Sequence, residues 1–122
     1  MATAKRNGDQ RGCLPSRAAL MRVYTDEAAR AGHRSLFEAI VRKARDMGLG
    51  GATVLRGPMG FGHEAVIQNA SILNLSANLP VVVEIVDEEQ KLRDFFHTLE
   101  EIEHIGLVTL EKVEVLHHPS RR

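Results

Sequence analysis

The chain of 122 residues contains one cysteine, Cys13, no tryptophan and a single tyrosine. A lone thiol can form neither an intramolecular disulfide nor a multi-cysteine zinc site. Its Gly/Pro/Arg-rich setting, ahead of any periodic segment, does not suit a catalytic thiol. A reducing, cytoplasmic location fits this usage best. Tyr24 and four phenylalanines are too few for a base-stacking platform. Charge of either sign is not in excess, because sixteen Lys plus Arg offset sixteen Asp plus Glu. That balance removes the basic surplus that draws a domain onto nucleic acid or an anionic membrane, so no nucleic-acid partner is expected. No apolar run approaches the roughly 18 residues of a membrane span. Lys5 and Arg6 are not followed by the apolar stretch of a secretory signal.

With 43 % apolar and 26 % charged residues, the chain has the composition of a soluble globular protein, and its length allows one core. A two-domain enzyme with a separate cofactor unit is excluded. The expected division is a mildly basic N-terminal arm over 1–17, one domain over 18–117 and a short tail over 118–122. Ala19 to Thr25, with Leu20, Met21, Val23 and Tyr24, predicts a first strand. Ser35 and Glu38 stand at capping-box spacing. Leu36, Phe37, Ile40, Val41, Ala44 and Met47 then recur with helical period, and Gly48 suits the left-handed residue past the helix end. Gly50 to Met59 and Leu79 to Val86 predict the second and third strands. Asp87, with Gln90 at the reciprocal position, predicts the cap of a second helix. Its stripe is Leu92, Phe95, Phe96, Leu99 and Ile102, and Gly106 is read as its terminator. Leu107 to Leu116 completes the order βαββαβ. Gly-Leu pairs at 48–49 and 106–107, each between a helix and a strand, mark two βαβ halves. The fold class is therefore α+β: a ferredoxin-like sandwich of a four-stranded antiparallel sheet with two helices on one face.

The other face is left without cover. Val82 and Val86 flank Glu84 on the side of the third strand opposite Val81, Val83 and Ile85, so both faces of that strand are partly apolar. An exposed apolar sheet face is normally an interface, and self-association into a closed homo-oligomer is expected, with a dimer as the alternative to the ring of three that the resemblance below implies.

Chemistry-bearing residues are sparse. The stretch GATVLRGPMGFG (51–62) runs from the second strand into a connection of about 20 residues, longer than hairpins in compact domains need. Gly57, Gly60 and Gly62 could present main-chain amides to an anion, with Arg56 and His63 as donors; equally, the glycines could simply let a hairpin twist and bulge. Neither a Rossmann nor a P-loop spacing is present. The six histidines, His33, His63, His97, His104, His117 and His118, lack metal-ligand spacing, and no metal site is expected. Ser71 and Ser76 have no triad partners. Asp87, Glu88 and Glu89 are accounted for by helix-start electrostatics. No catalytic constellation is visible, and the chain is read as a non-enzyme.

Three separated blocks, SLFEAIVRKARDMGLGGATVLRGPMGFG, LPVVVEIVDEEQKL and GLVTLEKVEV, together resemble the PII-like proteins of prokaryotes catalogued as a domain of unknown function. The resemblance spans roughly Leu20 to Leu116. It implies a ferredoxin-like subunit, a trimer assembled through the open sheet faces, and a long connection lying near clefts between subunits. It further implies a regulatory protein that binds a small anionic effector there, an adenine nucleotide being the ligand suggested, and acts on a partner protein that the sequence does not identify. PII proteins proper hold phosphates partly with a basic Gly-rich turn after the third strand, where this chain has Asp87-Glu88-Glu89. The expected ligand contacts are therefore Arg56, Gly57, Gly60, Gly62 and His63, with Arg34 as an outer contact. Ala77 and Asn78 also depart from the acidic residues common before the third strand in that family. The alternatives are a metal-binding trimer resembling the copper-tolerance proteins of this architecture, and an oligomeric adaptor with no small ligand.

Overall fold

Alternation along Pro80–Asp87 fixes the layer arrangement: Val81, Val83, Ile85 and Asp87 are buried, whereas Pro80, Val82, Glu84 and Val86 are half-buried. The computed structural model describes residues 15–71, 77–102 and 105–119; Cys13, nearly all of the expected N-terminal arm, Ser76, His104 and residues 120–122 lie outside them. The main elements are β1 (Arg17–Asp26), α1 (Leu36–Asp46), β2 (Thr53–Arg56), β3 (Pro80–Asp87), α2 (Glu89–Leu99) and β4 (Val108–Glu114). They form one sheet in the order β2-β3-β1-β4, with every neighbouring pair antiparallel. This is the ferredoxin-like sandwich expected from the order of elements. The core lies between the helices and one sheet face. Leu36, Ile40 and Ala44 of α1 and Leu92, Phe95 and Leu99 of α2 close over Ala19, Met21, Val23, Val83 and Ile85.

The C-terminus of α1 forms as its sequence predicts. Gly48 takes φ +77°, its amide donates to the Arg45 carbonyl, and the Leu49 amide donates to the Ala44 carbonyl. This pair of bonds satisfies carbonyls that the last turn would leave open, and it turns Leu49 into the core.

Both expected capping boxes are absent. Ser35 holds the N-cap position with φ −63° and ψ 148°, but its side chain makes no cap bond. It ends a short ribbon in which Arg30–Ala31 pairs with Arg34–Ser35, and the Leu36 amide donates to the Ala29 carbonyl at 2.7 Å. Glu38 turns instead to Arg42, at 2.8 Å. At α2 the N-cap residue is Glu88, again without a side-chain bond, and the Gln90 amide group donates to Asp94. Asp87 belongs to β3, where the alternation turns it toward the helices at 2 % exposure. There its Oδ2 accepts from the Gly50 amide at 2.8 Å and its Oδ1 from the Glu88 amide at 2.7 Å. The carboxylate thus ties the link between α1 and β2 to the end of β3. Asp87→Ala strands the Gly50 amide in a half-buried setting, and urea denaturation is expected to show a loss of about 1–3 kcal/mol.

α2 also ends earlier than its apolar stripe suggests, at Leu99 with Glu100 as C-cap. Ile102 packs against the core from a turn in which its amide donates to the Leu99 carbonyl. It therefore continues the period without continuing the helix. Gly106 does not end α2; it serves the approach of the chain to β1. The strands differ from expectation at their ends. β1 starts at Arg17, paired with Glu114, and the Val115 amide donates to the Ser16 carbonyl, so the end of the expected arm is part of the sheet. β2 shrinks to four residues at the sheet edge.

On the open face the strand register brings Leu20 beside Val86 and Glu111, Arg22 beside Glu84 and Thr109, and Tyr24 beside Val82. Leu20, Val82 and Val86 are only half-buried, and Leu55 is 49 % exposed. The centre of this face is charged. Arg22 donates from Nε to Glu84 at 3.0 Å and from Nη1 to Glu111 at 2.5 Å. The hydrogen bonds to Glu84, then Glu111, hold the Arg22 guanidinium more firmly protonated than usual.

Candidate functional site

β1 and β2 run parallel to each other and antiparallel to β3, so the ends of β1 and β2 and the start of β3 meet at one margin of the sheet. From that margin the connection between β2 and β3 leaves at Gly57 and returns at Leu79. Its stems are fastened by backbone bonds: the Gly57 amide donates to the Pro80 carbonyl at 2.9 Å and the Glu27 amide to the Leu79 carbonyl at 3.1 Å. Farther out, Met59–Gly60 pairs with Gln68–Asn69, and the Ala70 amide donates to the Pro58 carbonyl. The connection thus contains a small hairpin. Its tip carries Phe61, Val66 and Ile67, at 68 %, 55 % and 62 % exposure.

Arg56 stands at the base of this hairpin. Its Nη1 donates to Glu27 Oε2 at 2.7 Å, and the Glu27 Oε1 accepts from the Leu79 amide at 3.3 Å. The hydrogen bond from Arg56 holds the Glu27 carboxyl below the usual carboxylate range, against the opposing effect of desolvation. Glu27 follows the end of β1, where Asp26 Oδ1 accepts from the Ala28 and Ala29 amides and fixes the turn. Asn78 completes the junction. Its Oδ1 accepts from the Ala28 amide at 2.8 Å, and its own amide donates to Gln68 Oε1 at 2.9 Å.

The expected ligand contacts are distributed unevenly around this base. Gly57 and Gly60 do not take positive φ, and a Cβ on either would stand 3.1 Å from the Pro80 ring. The lack of a side chain there allows close packing on Pro80, and the Gly57 amide is bound to the Pro80 carbonyl. Gly62 accepts from the Ala65 amide in the hairpin turn, where Ala65, not a glycine, has φ +60°. His63 lies exposed beside them. Arg34 sits on the ribbon before α1, where its charge, after that of Arg42, helps to hold Glu38 below the usual range. Shallow depressions lie elsewhere, one of about 300 Å³ between α1 and the approach to β2, another of about 160 Å³ between α2 and β4. Neither is lined by an expected ligand contact.

Sequence reasoning did not single out Glu27, Gln68 or Asn78 as partners at the hairpin base. The signal for Glu27 was a carboxylate directly after a strand, which becomes meaningful only once β1 and β2 are known to end side by side. Among the described residues no three His, Cys, Asp or Glu side chains are grouped to hold a metal ion, and no helix is long and apolar enough to cross a membrane.

Comparison with known proteins places this geometry in a family. Residues 18–115 match the DUF190 family, described as "Uncharacterized ACR, COG1993". A UPF0166 protein of Aquifex aeolicus is 41 % identical over 100 residues, covering 80 % of this chain and 92 % of that protein. A UPF0166 protein of Methanocaldococcus jannaschii is 30 % identical over 100 residues, covering 81 % and 92 %. Among solved structures, one described as a PII-like signaling protein from Thermus thermophilus superposes with a TM-score of 0.58 at 14 % identity, covering 81 % of this chain and 89 % of that one. CPII of Thiomonas intermedia, solved with ADP and bicarbonate, superposes with a TM-score of 0.56 at 15 % identity, covering 81 % and 88 %. The βαββαβ sandwich with its long connection between β2 and β3 thus has a PII-like fold, and the chain belongs to the DUF190 (UPF0166) family.

Proposed function

We propose that this chain is a cytoplasmic PII-like regulatory protein, not an enzyme. It binds a small anionic effector, an adenine nucleotide, at clefts between copies and couples binding to the state of the β2–β3 hairpin, which a partner protein reads. The observation that carries this reading is the position of Arg56, an exposed cation at the base of a hairpin with an apolar tip. A ligand at the base is well placed to alter what the tip presents, because any ligand that favours one arrangement of the hairpin shifts the population toward it. Arg56 lies at the margin of one subunit, open to solvent, and this fits a site completed by a second copy. The half-buried apolar residues of the open sheet face supply the reason for copies to associate, and three closing around an axis is the arrangement we propose.

A thermal-shift screen of the intact protein against ADP, ATP and divalent metals tests the reading. A nucleotide at 100 times its dissociation constant should stabilise by about 2.7 kcal/mol. The shift should vanish in Arg56→Ala and persist in His97→Ala, whose imidazole lies on α2 beside Glu100. No shift with any nucleotide would favour an adaptor without a small ligand, and a shift with metals alone would favour the metal-binding alternative.

A further inference from the structure

Glu27 touches both stems of the long connection. Its Oε2 accepts from Arg56 on the outgoing stem, its Oε1 from the Leu79 amide on the returning stem, and its own amide donates to the Leu79 carbonyl. Asn78, next to Leu79, extends the chain of bonds to Gln68 in the hairpin. One carboxylate therefore links the cation at the base to the root of the hairpin. The ion pair is accessible, with the Arg56 side chain 64 % and the Glu27 side chain 31 % exposed. Exposed pairs of this kind gain little net free energy in water. A phosphate group offers the same guanidinium a partner of higher charge and matching bidentate geometry. An anion against Arg56 is also repelled by the Glu27 carboxylate at hydrogen-bond distance from the same group, so the two compete.

We propose that Glu27 is an internal competitor for Arg56: a phosphate-bearing effector takes the guanidinium by displacing the Glu27 carboxylate, and that displacement loosens the hold on Leu79 and the root of the hairpin. This rests on the anion-binding reading above and gives it a sign. Anion binding and the closed hairpin root oppose each other, and by linkage whatever holds the root closed weakens the anion by the same factor.

The test uses the full chain, ADP and inorganic pyrophosphate as probes in calorimetric titrations, and chymotryptic cleavage after the exposed Phe61 as the readout of the hairpin. Glu27→Gln removes the competing charge while keeping the side-chain shape. It is expected to bind ADP roughly three- to tenfold more tightly than the wild type, as loss of one exposed charge at this distance gives. Without ligand, it should be cut after Phe61 faster than the wild type. In the wild type, ADP should raise the cutting rate toward that of Glu27→Gln. Glu64→Gln, which removes an exposed carboxylate of the hairpin that is not bonded to Arg56, should change ADP affinity less. Unchanged or weaker ADP binding by Glu27→Gln, an equal gain in Glu64→Gln, or slower cutting of the wild type with ADP would each overturn the competition while leaving the anion site standing. Failure of both probes to bind either protein would remove the anion reading itself, and the competition with it.

Discussion

Gly106→Ala is expected to lower the melting temperature by roughly 10–15 °C, the shift that about 2–4 kcal/mol produces in a domain of this size. A Cβ at this position would stand 2.2 Å from the Tyr24 carbonyl oxygen. Two backbone segments cannot relieve such a clash as the end of a flexible side chain could, so the chain entering β4 must move away from β1. That movement strains the bond from the Tyr24 amide to the Leu107 carbonyl, now 2.8 Å, and withdraws the neighbouring Val108 and Leu110 from the core they cover. Calorimetry of the variant beside Gly51→Ala, where a Cβ would meet nothing within 4 Å, separates close approach from a general effect of replacing glycine. A Gly106→Ala protein as stable as the wild type would contradict the geometry of this junction.

Leu20→Asp is expected to dissociate the protein into single folded subunits. Leu20 lies on the open face between Val86 and Glu111. Two residues on, Arg22 pairs with Glu84 opposite it and with the same Glu111 reached diagonally. In one subunit the new carboxylate stays partly in water and perturbs little. Hidden against a second copy, beside a group that already holds two carboxylates for one guanidinium, it would be an unpaired charge, costing about 3 kcal/mol or more at each interface. That corresponds to a loss of association by a factor of roughly a hundred or greater. Sedimentation should therefore show the mass fall while circular dichroism retains the mixed helix and strand signal. A variant that keeps the wild-type mass would place the contact elsewhere on the subunit.

Much of this fold is legible in the sequence because its signals are local. The helical stripes of α1 and α2, the apolar run of β3 around Glu84 and the glycine after α1 each act within a few residues, and each is found where it is read, save that α2 stops at Leu99, short of Ile102. The misread features depend on distant partners. Asp87 looks like a helix cap by spacing, yet burial on the helix side of β3 gives it the Gly50 amide, 37 residues away. Gly106 looks like a terminator, yet it is required by the Tyr24 carbonyl. At the candidate site Arg56 is visible in the sequence as a cation beside glycines, whereas its partner Glu27 follows the end of another strand. Whether Gly57 and Gly60 serve a ligand or the bend of a hairpin is not decided by the sequence, which does not show that the Pro80 ring lies against them. The two carboxylates around Arg22 were equally hidden, since Glu84 and Glu111 meet it only through the pairings of β1 with β3 and β4.

The half-covered face from which Arg22 projects should be closed by other copies of the chain, and the mass of the wild-type protein in dilute solution tests this most directly. Multi-angle light scattering at micromolar concentration should give one species near three times the 13.5 kDa of a single chain. A homogeneous, folded species of 13.5 kDa under the same conditions would contradict the association and, with it, the clefts in which an effector is proposed to bind.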